Sequence, residues 1–155
     1  MALTYTEQLQ AITQSYRDAG EAWPTTLKHI AAWAINRGLW EPQRILLITK
    51  CAEDLGRAMR EEFITDPQGR RVRAKHAARM DRDEGEQGAL WDDIRTASHE
   101  HMQVAFQQRR QGIVGDCHRL KVDVGSYNDN RGPVEPIQMI FDFTSDLLEM
   151  EMVNV

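Results

Sequence analysis

Residues 66–79 read DPQGRRVRAKHAAR and carry Arg70, Arg71, Arg73, Lys75 and Arg79, with no acid after Asp66. Guanidinium and ammonium groups gathered this densely hold anions, and phosphate above all. The formal net charge of the chain is −5, so setting these five cations aside leaves −10 for the rest. A positive segment segregated inside an acidic protein implies a surface for a polyanion. The competing reading is a solvated loop that aids solubility.

Other residues able to do chemistry are spaced badly for it. His99 and His101 stand two apart, on different sides of a helix, and share a metal only if Cys117 and His118 join them after folding. Asp92, Asp93 and Glu100 read as a solvated face rather than as paired catalytic carboxylates. Asp116, Cys117 and His118 are sequence neighbours, and neighbours rarely form a nucleophile–base pair. The segment GIVG at 112–115 matches neither a dinucleotide fingerprint nor a Walker loop. We therefore expect no enzyme chemistry, no catalytic residue, no metal and no cofactor.

The 155 residues suffice for one ordinary domain or two very small ones, with a core that needs no staples. The hydrophobic share of 41% and charged share of 28% are those of a globular protein rather than a disordered one. No apolar run reaches about 18 residues, so no membrane span is expected. The first ten residues lack the marks of a secretory signal. Cys51 and Cys117 make neither a disulfide framework nor a zinc pattern, and a reducing cytoplasm is the expected location.

The elements that position the basic segment follow from spacing. Thr4 and Glu7 fit a capping box, and Tyr5, Leu9, Ile12 and Tyr16 fall on one face of a helix over 4–19, ended by Gly20. Thr25 or Thr26 caps a second helix over 25–37, with Leu27, Ile30, Ala31, Ala34 and Ile35 as its apolar side and Gly38 as its stop. Pro42 opens a third over 42–62, whose apolar face is Ile45, Ile48, Ala52, Leu55, Met59 and Phe63. Residues 63–65 and 71–75 read as two strands joined by a turn at Asp66-Pro67-Gln68-Gly69. Alternation puts Arg71, Arg73 and Lys75 on one face of the hairpin and Val72 and Ala74 on the other, with Arg70 at the tip.

Helix, helix, longer helix and a hairpin with a basic return strand: this order resembles the winged helix-turn-helix family over residues 4–79. The resemblance implies a mainly α fold with a three-helix domain and a β-hairpin wing; beyond it a C-terminal helical dimerisation region is expected. It makes 42–62 the recognition helix, offering Gln43, Arg44, Leu46, Thr49 and Lys50 to base edges in the major groove, with Arg57 further along. Arg70, Arg71, Arg73, Lys75 and Arg79 then lie on phosphates or in the minor groove.

Residues 80–88 mix charges with glycine and read as a linker to a second region, 89–155. Leu90, Ile94, Ala97, His101, Val104 and Gln108 make a near-heptad seam on a helix over 89–112. Its partner is either a second copy, giving a homodimer, or the chain's own domain. Gly112 and Gly115 are candidates to kink the helix. Residues 117–133 fit a strand or a continued helix, 128–133 a turn, and 137–152 a strand then a helical turn, or one helix. The expected function is that of a small dimeric transcriptional regulator binding double-stranded DNA. The alternative is a protein–protein interaction module on the same scaffold.

Overall fold

The computed structural model describes residues 2–80 and 88–153, so the expected linker lies outside the described residues except at its two ends. The protein is mainly helical and divides into two compact units, Met1–Arg57 and Ala58–Val155.

In the first unit, α1 (Tyr5–Asp18) begins at the expected capping box. The Glu7 amide donates to the Thr4 hydroxyl (3.2 Å), and the Thr4 amide donates to the Glu7 carboxylate (2.7 Å). Those bonds satisfy amides that the first helical turn leaves without partners, and they hold the Glu7 pKa below its ordinary value. Thr26 caps α2 (Leu27–Asn36), accepting from the His29 amide at 3.3 Å. Gly38, at φ +69°, lies just beyond the α2 cap, in a conformation that side-chain-bearing residues rarely adopt. The buried residues are Tyr16, Ile30 and Ala34. The Tyr16 ring meets Trp33 edge-on at 5.4 Å, and its hydroxyl donates to the Ala22 carbonyl at 3.1 Å.

The helix α3 (Arg44–Arg60) carries the unit boundary after Arg57. Its only buried residue is Gly56, while Ile45 and Ile48 are 73% and 77% exposed. The apolar face expected to pack inward is thus largely open. Phe63, counted on that face as well as in the first strand, belongs to the strand.

In the second unit, β1 (Phe63–Thr65) pairs antiparallel with β2 (Arg71–Arg73), in the register Phe63↔Arg73, Ile64↔Val72, Thr65↔Arg71. The turn is organised by Asp66, whose carboxylate accepts from the Gln68 and Arg70 amides at 3.0 and 2.8 Å. Gly69 takes φ +84°, as the turn requires.

The return strand was expected to run through Lys75, but it breaks pairing at Ala74. The Ala74 amide donates to the Glu62 carbonyl (2.9 Å), and its own carbonyl accepts from the Ile94 amide (2.8 Å). From Lys75 the chain pairs with a new neighbour: β3 (Lys75–Ala78) runs antiparallel to β4 (Leu90–Asp93). Residues 90–93, expected to be helical, are therefore extended. Tertiary pairing overrides the seam spacing there, helped by the cross-strand ion pair of Lys75 with Asp93 (3.1 Å).

The long helix α4 (His99–Arg131) starts only where Ser98 caps it, accepting from the His101 amide at 3.1 Å. It runs uninterrupted through Gly112, Gly115 and Gly125 and ends at Gly132 (φ +52°), so residues 128–131, expected as a turn, are its last helical turn. The ambiguity over 117–133 resolves to helix. After an irregular stretch, α5 (Thr144–Val153) ends the described chain, with no buried residue.

The seam on α4 meets its own chain. His101 and Ala105 are buried, Phe106 meets the His76 ring edge-on at 5.3 Å, and Gln108 exchanges two 2.8 Å bonds with the Arg79 backbone. Residues 101–108 therefore lay one side on β3, while Gln103, Phe106 and Gln107 stay exposed.

Ala74 is completely buried, so Ala74→Leu has no room for three added carbons. It should destabilise the protein by about 1–3 kcal/mol, read as a lower urea midpoint, and Val72→Leu on the half-buried neighbour should cost less.

Candidate nucleic-acid interface

The candidate residues fall into the two units. In the first, Gln43, Arg44, Thr49, Lys50 and Arg57 are all exposed. Lys50 pairs with Asp54 one helical turn on (2.7 Å), and Arg57 reaches the same carboxylate oxygen (3.4 Å). The hydrogen bond from Lys50 is the largest cause holding the Asp54 pKa below its ordinary value. Exposed pairs of this kind contribute at most about 1 kcal/mol, so a phosphate can displace the carboxylate at small cost.

In the second unit the five cations have different environments. Arg70, at the hairpin tip, donates from Nε to Asp66 at 2.7 Å while most of its side chain stays in solvent. The same residue, chiefly through its backbone amide, lowers the Asp66 pKa. Arg71 is exposed and lies over the Phe63 ring, its guanidinium carbon 4.4 Å from the centroid. That stacking leaves the guanidinium edge free to donate. Arg79 is exposed at the end of β3, its backbone fixed by Gln108.

Lys75 is different. It pairs with Asp93 (3.1 Å) and Glu62 (3.3 Å), and both carboxylates raise its pKa. Asp93 is also gripped by Arg95, whose Nε and Nη2 donate at 2.9 and 2.6 Å. Arg95 foremost, with Lys75, holds the Asp93 carboxyl well below the usual carboxylate range. The ion pairs of Lys75 tie strand to strand, and it projects no free charge.

Arg73 is half-buried, and its Nε is buried without a hydrogen-bond partner. It opens with Arg60 and Arg109 onto a cleft of about 210 Å³ that His76 and Trp91 also line. Burial first, then Arg109 and Arg60, lowers the pKa of Arg73. Sequence reasoning missed Arg60 and Arg109. The available signal was that His101, Ala105 and Arg109 are spaced i, i+4, i+8 and so share one helical face.

Two histidines brace this region. The Nε2 of His76 lies 2.8 Å from the Arg73 carbonyl, and the Nε2 of His101 lies 2.9 Å from the His76 carbonyl. A carbonyl can only accept, so each ring donates from Nε2. Burial foremost, with Arg109 and Arg73 adding repulsion, lowers the His76 pKa, although the bond to the Arg73 carbonyl opposes the shift. Among the described residues no group of three or more potential metal ligands gathers, and no helix is long and apolar enough to cross a membrane.

Comparison with family models, with curated proteins and with solved structures found no match to this chain.

Because the His76 pKa is depressed on folding, the unfolded chain takes up a proton before the folded one does. The stability tied to neutral His76 is fully present above its ordinary value of 6.5 and is lost as pH falls through the folded-state value. Melting curves taken on either side of 6.5 should show a larger acid-side loss of Tm in the wild type than in His76→Gln, which keeps a donor toward Arg73. Equal losses in the two proteins would remove His76 from the acid response.

Proposed function

We propose that the chain binds double-stranded DNA as a small regulator, with the β1–β2 hairpin as its phosphate-contacting wing. The observation that carries this reading is the hairpin. Its turn is fixed by Asp66 and Gly69, and it holds Arg70 and Arg71 exposed at and beside the tip. A rigid turn orders the backbone before binding, so only side chains lose freedom on contact. The exposed Gln43, Arg44, Thr49 and Lys50 of α3 supply the side-chain types that read base edges.

The proposal includes a homodimer. Its contact moves along α4 from the 89–112 seam, which partly covers β3, to the exposed Ile113, Val114, Leu120 and Val122. Light scattering should then return about twice the chain mass of 17.9 kDa.

A second reading is favoured by one observation. The apolar residues Ile45, Leu47, Ile48 and Leu55 of α3 are all more than half exposed, which suits a protein partner better than DNA.

Fluorescence anisotropy with a mixed-sequence 30-base-pair duplex across salt separates the two. The DNA reading expects non-specific dissociation constants of about 10⁻⁴–10⁻⁶ M at physiological salt, tighter at low salt. Arg70→Ala with Arg71→Ala should weaken binding to every sequence and flatten the log–log salt slope by about 0.9 per lost phosphate contact. Absence of binding at low salt would leave protein recognition as the function.

A further inference from the structure

Three arginines share one cleft in the second unit with no acid to balance them. Arg60 comes from the last turn of α3, Arg73 from β2 and Arg109 from α4, and together they line the 210 Å³ space. None of the ion pairs among the described residues uses any of the three. Of the carboxylates on the flanking strands, Glu62 is paired with Lys75 and Asp93 with Lys75 and Arg95, while Asp92 accepts from the Asp93 amide and does not line the cleft.

The cleft therefore concentrates positive charge, and it does so at a cost. Arg109 and Arg60 each make it harder for Arg73 to stay charged. Arg73 also holds a buried N–H donor, at Nε, with nothing to donate to. A buried donor without an acceptor is rare in folded proteins, and Trp33 Nε1 is the other one among the described residues. A single anion in the cleft screens three like charges at once and accepts from guanidinium edges that line it.

Size and chemistry narrow the anion. The cleft is several times the ~30 Å³ that one liquid water occupies, yet below the ~300 Å³ at which pockets for drug-sized ligands begin. Guanidinium forks match the oxygens of phosphate in paired, parallel hydrogen bonds. Trp91 and His76 line the same space.

We propose that Arg60, Arg73 and Arg109 form a binding pocket for one phosphate group. The phosphate comes either from a small phosphorylated compound or from a nucleic-acid backbone. The cleft needs an anion whether or not the hairpin meets DNA. His76 acts as a positioning residue: it donates to the Arg73 carbonyl and is itself held at its carbonyl by His101.

The test is nuclear magnetic resonance on the full chain, following the Arg73 Nε–H and the Trp91 indole N–H. Inorganic phosphate is titrated against chloride at constant ionic strength. Saturable shifts with a dissociation constant on the order of 1 mM or below are expected. Arg60→Gln and Arg109→Gln, both at exposed positions, should each weaken binding about tenfold while leaving the remaining spectrum in place. Arg73→Lys, which keeps the charge but lacks the guanidinium fork, should also weaken it.

The duplex then identifies the source. Loss of the phosphate-induced shifts when the duplex is added assigns the pocket to a backbone phosphate. Unchanged shifts, or a duplex that does not bind, assign it to a small phosphorylated ligand. No saturable shift up to about 50 mM phosphate overturns the proposal. Equal affinity in Arg60→Gln, Arg109→Gln and wild type overturns it as well.

Discussion

Ala74 is where the second unit is joined. Its amide reaches back to Glu62, at the head of β1, and its carbonyl receives the amide of Ile94, just past β4. The chain bends at Ala74, pairing with β1 before it and with β4 after it. A side chain larger than a methyl group finds no space at a junction that is completely enclosed. The ion pairs of Lys75 with Glu62 and Asp93 bind the same two neighbours that the Ala74 backbone does. Backbone and side chain therefore fix one register. The place of Arg73 in the cleft and the contact of β3 with α4 both follow from it.

That register sorts cations which look alike in the sequence. Lys50 and Arg57 lean on the exposed Asp54, and Arg70, itself mostly in solvent, on the half-buried Asp66, in pairs that water and salt weaken. Lys75 and Arg95 grip a half-buried carboxylate and serve as structure. Arg73 faces two further arginines and has no carboxylate. The cations of the opening cluster thus stand in different electrostatic situations rather than forming one positive patch. Only the first situation suits a surface that exchanges partners freely.

Local chemistry was readable and long-range pairing was not. Thr4 with Glu7, Thr26 before α2, and Asp66 with Gly69 each act within a few residues, so their geometry follows from spacing alone. Residues 90–93 show the opposite case. Their seam spacing suited a helix, but an extended partner at Lys75–Ala78 offered a full ladder and a cation for Asp93. Ser98, followed three residues later by His101, was the true start of the helix, and it lacks the Glu or Gln that makes a capping box conspicuous. The arginine cleft was hidden for a related reason. Arg60, Arg73 and Arg109 belong to three elements, and no one-dimensional pattern connects them.

The pairing of Ala78 with Leu90 has a consequence for how the chain could be rebuilt. The two ends of the intervening connection are pinned side by side by hydrogen bonds that do not depend on what joins them. Closing a flexible connection twice as long costs only about 0.6 kcal/mol more. Inserted sequence, or a break with the original ends joined elsewhere, leaves the ladder and its cross-strand ion pair with the partners they already have. The connection is thus a natural place for new segments to enter the protein without disturbing the arginines that β2 and α4 hold in position.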